Sequence, residues 1–456
     1  MLDKSSRELN NEESSEVIHI KPNWKNWLNL VIFSLAQYID VFGTYATIIA
    51  IPIIGEELSL DSATSSWVID GYLLVFASFL LVFGKLSDLY SPKLVFVIGL
   101  AWMGILHLGA GFCKNAVALV ILKALSGWGA AATIPSGIKL IVMEFPDEEY
   151  RRIALSIFCL CGGIANVTGT IFGGLLTSVD WQWVLWIISI ITIPLSLASF
   201  FTIPDVPLKF ETDSKMDFVS SFIMVAGLVL LIYSLTAGNT VGWPTAHILV
   251  PLILAVLLLV AFFYLQTRMS PRRALIPPRV WRYKGMTVLF CASLTVSGWW
   301  TCVLISLANI YQDVWHWDPT KAAVHFLPFG IASAISGSLA STILKYANFK
   351  LSILVAYLAS LSGVLLISFG DEQSLYWRFA VPGMVIGSAA CAFLYTATNV
   401  GMVQVSPDNE TGLAGSMFQM SQQTGSAIMI SIFIAIRGAV NEQSTDIFKG
   451  TSAGMW

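Results

Sequence analysis

Residues 67–93 read WVIDGYLLVFASFLLVFGKLSDLYSPK. From Trp67 to Phe83 the only charged side chain is Asp70, and a short polar connection then runs from Gly84 to Lys93, where the next apolar run begins. A bilayer core of roughly 30 Å takes about 20 apolar residues of helix to cross. The same alternation of long apolar run and short polar break extends in both directions. It predicts spans near 27–53, 66–84, 93–113, 116–142, 153–177, 182–203, 217–237, 247–266, 285–311, 320–343, 350–369, 377–402 and 412–436. Runs of this length can satisfy their backbone in lipid only as helices. The fold class is therefore an all-α polytopic membrane protein of about thirteen spans.

Composition agrees. The chain has 456 residues, 56% hydrophobic and 12% charged, where a soluble domain carries about a quarter charged residues. No stretch between the spans is long enough to bury a core of its own, which excludes an extramembrane domain. A net charge of -3 points to no nucleic acid or other polyanion. The six cysteines sit in or beside apolar runs without metal-ligand spacing, so packing is their expected role, and no metal or cofactor is expected. Residues 1–26 lack a signal-peptide pattern. Most of the 25 Lys and Arg fall in alternate connections, which by the positive-inside rule puts the N-terminus in the cytoplasm. The densest group is Arg268, Arg272, Arg273, Arg279, Arg282 and Lys284, read as a topology determinant, with a lipid-headgroup patch as the second reading. Two N-x-[ST] sequons, Asn166 and Asn409, fall in a span and on the cytoplasmic side, where no glycan is expected.

Several motifs carry more specific information. Gly84-Lys85-Leu86-Ser87-Asp88-Leu89-Tyr90-Ser91-Pro92-Lys93, between spans two and three, resembles the G-x-L-x-D-R-x-G-R-K loop of the major facilitator superfamily, with Leu89, Ser91 and Pro92 in place of Arg, Gly and Arg. Ala165 to Gly174 in span five resembles the g-x-x-x-G-P-x-x-G-G element of drug–proton antiporters, with Thr170 for the proline. Lys123 to Ala131 in span four resembles R-x-x-Q-G-x-G-A-A, and Asp40, Ala50-Ile51-Pro52 and Trp67 to Leu73 resemble elements of the fourteen-span drug–proton antiporter branch. Met216-Asp217-Phe218, Gly242-Trp243 and Leu275-Ile276-Pro277 are similar to fungal transporters of the aminotriazole-resistance type. Gly337-Ser338-Leu339-Ala340-Ser341 looks like a worn second copy of the Gly84 loop.

The resemblance implies the major facilitator fold: two six-helix halves plus two inserted helices, with the last helix of the second half missing. Its boundaries here are a cytoplasmic tail at 1–26, a first half at 27–203, inserted helices at 217–266, a basic cytoplasmic loop at 267–284, a second half of five spans at 285–436 and a polar tail at 437–456. It also implies alternating access by rocking of the halves, a gating loop of Gly84, Lys85, Asp88 and Lys93, and close packing through Gly169, Gly173, Gly174, Gly330 and Gly337. The small-residue faces of spans five and ten should meet. Asp88 should lie against the start of span thirteen, near Thr411 to Gly415, where free N–H groups favour a carboxylate.

Ionisable residues inside lipid are functional candidates. Asp40 stands about 20 Å into span one and Lys123 about 18 Å from the same membrane face, so the two should pair. Asp40 is the expected proton carrier, with Lys123 setting its proton affinity. Asp70, Asn166, Gln419, Gln422 and neighbouring Gln423 are expected around the cavity, as is His325 in span ten. His107 and Lys139 are read as structural, Lys139 snorkelling to the surface. The expected function is proton-coupled efflux of small toxic molecules or drugs by a monomer in the plasma or vacuolar membrane, with substrate, protons and lipid bilayer as its partners. Two readings compete with it: a low-affinity facilitator of a small inorganic solute such as ammonium or borate, favoured by a narrow polar cavity, and a non-transporting sensor or inactive remnant. No H-E-x-x-H pattern argues for an enzyme.

Overall fold

The protein was analysed as a computed structural model, which describes residues 22–60, 62–205, 217–269, 274–317, 321, 324–370, 372–407 and 410–443. Residues 1–21, Arg272, Arg273, the Asn409 sequon and the tail from 444, with Lys449, lie outside the described residues.

Among the described residues, thirteen long helices follow the apolar runs: α1 (Trp24–Glu57), α2 (Ser62–Leu89), α3 (Pro92–Gly111), α4 (Ala116–Glu144), α5 (Glu148–Thr177), α6 (Gln182–Thr202), α7 (Phe218–Val241), α8 (Ala246–Arg268), α9 (Met286–Asn309), α10 (Leu327–Tyr346), α11 (Phe349–Ile367), α12 (Val381–Gln404) and α13 (Thr411–Gln443). The polar breaks are helix starts. Asn23, Ser91, Asn115, Asp147, Asp217 and Asn348 each accept a backbone N–H of the helix that follows, satisfying donors that lipid could not. Twelve of the helices are long and apolar enough to cross a membrane. The thirteenth, α13, carries Gln419, Ser421, Gln422 and Gln423 along one stretch.

In the first six helices α1 packs on α5, α3 on α6, and α4 is held between α2 and α3. Glycine makes the last arrangement possible. A Cβ on Gly127 would stand 2.7 Å from the carbonyl oxygen of Tyr72 in α2, and one on Gly129 would stand 2.9 Å from the backbone nitrogen of Met103 in α3. In the second set α9 packs along α13, and α10 and α11 along α12. The two sets meet where α2 and α4 touch α13 and where α5 touches α10 and α12. Helices α7 and α8 pair with each other, α7 leaning on α2 and α13, while α8 exposes Val250, Ile253, Leu257 and Val260 outward.

The small-residue faces are used differently from the expectation. Helices α5 and α10 do pack, but their glycines do not face one another. Gly169 and Gly173 receive the backbone of α1, at Phe42 and Ala46, and Gly174 lies beside Ile49. Gly330 and Gly337 of α10 instead receive the side chains of Val167 and Leu160 from α5. Residues 165, 169 and 173 fall on one face and 160 and 167 on another, so α5 serves α1 with its glycines and α10 with its aliphatics. A Cβ on Gly173 would stand 2.6 Å from the Ala46 Cα, whereas one on Gly174 would make only an ordinary 3.9 Å contact. Gly173→Ala is therefore expected to cost about 1–3 kcal/mol by overpacking and Gly174→Ala close to nothing. Thermal melts of the purified variants in detergent check this, and equal losses in both would contradict the packing.

Candidate functional site

A cavity of about 240 Å³ lies between the two sets of helices, walled by α1, α2, α4, α5, α9, α10, α12 and α13. Its wall is largely apolar and aromatic, with Tyr45, Phe76, Trp300 and Tyr395. Set into it are Asn166, Gln419, Gln422 and Gln423 from the expected group, together with Gln37 of α1, which sequence reasoning missed. Asn166 donates from Nδ2 to Gly162 O in its own helix at 3.2 Å. Among the described residues, Asp40 is the only Asp, Glu, Lys, Arg or His in the wall.

Asp40 opens a buried chain that runs away from the cavity into the first six helices. It is 6% exposed, and the Tyr72 hydroxyl donates to its Oδ1. On the far side of Tyr72, Lys123 Nζ sits 4.9 Å from the ring centroid, a cation–π contact. The Lys123 ammonium, on a side chain 1% exposed, donates to His107 Nε2 at 3.0 Å. His107 Nδ1 stands 2.9 Å from Met103 O. A carbonyl only accepts, so Nδ1 carries the proton and the Nε2 lone pair faces Lys123, which makes the imidazole neutral. The glycines that draw α4 onto α2 and α3 lie one to two turns beyond Lys123, so the same close approach delivers its side chain between Tyr72 and His107.

Three expected positions need correction. Lys123 does not line the cavity. It meets the same tyrosine as Asp40, but Tyr72 stands between them and the packing of α2 on α4 seals it behind the wall. Asp70 is half-buried one turn before Leu73, nearer the start of α2, and lies outside the lining. His325 precedes α10 rather than lying within it, because α9 ends in a π-helical turn at Ile310–Val314 and α10 starts at Leu327. The His325 ring packs 4.3 Å from Trp317 and 4.8 Å from Tyr376, its Nδ1 is 2.7 Å from Lys321 O, and it is absent from the cavity.

A second charged cluster occupies the end of the bundle at which α1 begins. Asp88 Oδ2 accepts the Leu413 backbone N–H of α13 at 2.9 Å, and its Oδ1 lies 3.1 Å from Lys139 Nζ. Both members of the ion pair are buried, so Lys139 does not snorkel outward. Gly84 and Gly412 make room for the contact: a Cβ on Gly412 would stand 2.7 Å from Asp88 Oδ1, and one on Gly84 would overlap the Ser416 side chain. Lys85 is buried within electrostatic reach of Asp88 and Glu410. Lys93, by contrast, pairs with Asp205 at 2.8 Å, just past α6, and so ties α3 to α6 instead of joining the loop to α13. Ahead of α13, Glu410 pairs with Arg279 and accepts from Tyr283 Oη at 2.9 Å. The hydrogen bonds that Arg279 donates to Glu410 hold its guanidinium above its ordinary pKa.

These features can be set beside known proteins. The Major Facilitator Superfamily model matches residues 33–430. The multidrug transporter mfsC of Aspergillus fumigatus is 26% identical over 420 residues, covering 91% of this chain and 80% of its own. The puromycin resistance protein pur8 of Streptomyces alboniger is 27% identical over 420 residues, covering 90% and 82%. The solved structure of the human organic anion transporter MFSD10 (TETRAN) covers 95% of this chain and 98% of its own with a TM-score of 0.64 at 12% identity, a likeness of fold. With a family model spanning most of its length and the helices arranged as two packed sets around a central cavity, this chain belongs to the Major Facilitator Superfamily of integral membrane transporters.

Proposed function

We propose that this transporter exports small drug-like or toxic molecules in exchange for protons, by alternating access around the central cavity. The observation that carries the reading is the placement of Asp40, a lone carboxyl in an otherwise uncharged wall, with Tyr72 and Lys123 behind it. The Tyr72 hydroxyl occupies one carboxyl oxygen and leaves the other to take and release a proton. Lys123 behind the ring adds a fixed positive field that tunes how tightly that proton is held, and neutral His107 positions Lys123. The names of the relatives, a multidrug transporter and a puromycin resistance protein, support efflux of organic molecules. The largely apolar and aromatic wall favours such cargo over a small inorganic solute.

In this reading residues 27–203 and 285–436 rock against each other, and 217–266 are inserted helices of the fourteen-span antiporter branch, near the fungal aminotriazole-resistance type. The Lys and Arg distribution supports a cytoplasmic N-terminus, with the protein working as a monomer in a plasma or vacuolar membrane. The Asp88–Leu413 contact then holds the cytoplasmic end shut, helped by the pair of Lys345 with Glu149 across α10 and α5, and Lys139 replaces the positive charge absent at 89 and 92.

Two outcomes are expected. In proteoliposomes with an imposed proton gradient, Asp40→Asn should fold normally and lose gradient-driven efflux of a fluorescent drug substrate by at least tenfold, and undiminished efflux would refute the assignment. For the closed end, Asp88→Asn and Lys139→Met should each cost about 3 kcal/mol by stranding a buried charge, while the double variant costs clearly less than their sum. A melting-based double-mutant cycle in detergent measures this, and additive losses would show that the two do not act as a pair.

A further inference from the structure

Among the described residues, helices α7 and α8 line no part of the cavity, yet the chain that leaves them is built into the closed end. Segment 274–286 turns its apolar residues inward. Leu275, Ile276 and Val280 are buried in one cluster with Leu81 of α2 and with Leu413 and Met417 of α13, to which α7 and α8 also contribute. That cluster crosses the seam between the two sets of helices. The Ile276 N–H donates to Gln266 Oε1 of α8 at 3.2 Å, and consecutive prolines, Pro277 and Pro278, fix φ ahead of Arg279. The segment is therefore a short, stiff strap anchored on the inserted pair.

Its polar side holds the start of α13. Arg279 donates to Glu410 Oε1 from Nη2 and from Nε, the latter at 3.1 Å, and Tyr283 Oη donates to Oε2 at 2.9 Å. Both carboxylate oxygens are thus engaged, one of them by charge-assisted bonds. Glu410 directly precedes Thr411, where α13 begins, and three residues after Glu410 the Leu413 N–H donates to Asp88 Oδ2 at 2.9 Å. The first turn of a helix is where its backbone N–H groups are free to be given to such a partner, so whatever fixes residue 410 also fixes where the Leu413 N–H points.

We propose that Arg279 is a positioning residue for the closed end: through Glu410 it holds the first turn of α13 where Asp88 can bond it, and the inserted pair α7–α8 is the brace that anchors the strap. The inserted helices thereby act on the closed end without touching cargo. The inference rests on the reading of the Asp88–Leu413 contact as the lock of that end and adds what sets the lock.

Hydrogen–deuterium exchange of the purified full chain in detergent, read peptide by peptide by mass spectrometry, tests it. The informative peptides are the start of α5 and the end of α10, joined across the seam by Glu149 and Lys345 and outside the Arg279–Glu410–Tyr283 set. Their amides exchange faster when the closed end opens more often. Arg279→Gln should raise that rate by about threefold or more, and Arg279→Lys, which keeps the charge without the two-point grip, should raise it less. Asp205→Asn is the control, since it breaks an ion pair of 2.8 Å at the same end but within the first set of helices, and it should change nothing there. In the Asp88→Ala/Lys139→Met background, which removes the lock without stranding a cation, Arg279→Gln should change the rate by about 1.5-fold or less. A rise confined to 274–286 and the first turn of α13, an equal rise from Asp205→Asn, or a full rise from Arg279→Gln in the Asp88→Ala/Lys139→Met background would overturn the proposal. No rise in Asp88→Ala/Lys139→Met itself would sink the lock reading and this inference with it, whereas a rise there without one in Arg279→Gln would sink this inference alone.

Discussion

A charged side chain in the middle of a bilayer costs about 2.5–3.5 kcal/mol even on the mildest scales, and the rest of this structure is arranged around one such charge. Lys123 can stay in the membrane because every direction from its ammonium meets protein: the face of Tyr72, the lone pair of His107 and, beyond the tyrosine, the carboxyl of Asp40. That enclosure depends on α4 approaching both α2 and α3 more closely than side chains normally allow, which Gly127 and Gly129 make possible. The glycines and the lysine are therefore parts of one device, in which close packing removes lipid and water from the charge.

The remaining polar residues follow the same logic. The first cluster, Asp40 with its supporting chain, lies at the cavity, and the second, Asp88 with Lys139, lies at the end of the bundle where α1 begins. Between and around them the wall is aromatic and aliphatic, interrupted by carboxamides and hydroxyls. Among the described residues, helices α3, α6, α7, α8 and α11 contribute nothing to the wall, which leaves them as scaffold and lipid contact. His107 of α3 is the exception, a scaffold residue reaching inward to hold Lys123 in place.

The helices were legible from the sequence because a run of about 20 apolar residues has one stable form in lipid, and the breaks were legible because Asn, Asp and Ser begin helices. The approach of Asp40 and Lys123 was legible in part: counting residues at 1.5 Å each points the two toward one another, and both meet Tyr72. Rotation about each helix axis was not, since an apolar span presents no solvent face to orient it. Hence Tyr72 between the two charges, His107 behind Lys123 and Lys139 beside Asp88 went unassigned, although a second buried basic residue near Asp88 was the natural counter-charge once 89 and 92 lacked one. His325 was misplaced for a different reason. A π-helical turn after α9 and a late start to α10 shift it out of the span, and no residue pattern announces such turns. The pairing of the α5 glycines with α1 was hidden because small residues mark a close approach without naming the partner.

The central claim is that Asp40 carries a proton that cargo displaces. Difference infrared spectroscopy of the purified transporter, with and without a bound drug substrate, tests it directly through the carbonyl stretch of a protonated carboxylic acid. The expected result is a loss of that band when the substrate binds, seen in the native protein and missing in Asp40→Asn. A band that substrate leaves unchanged, or a loss that persists in Asp40→Asn, would contradict the account.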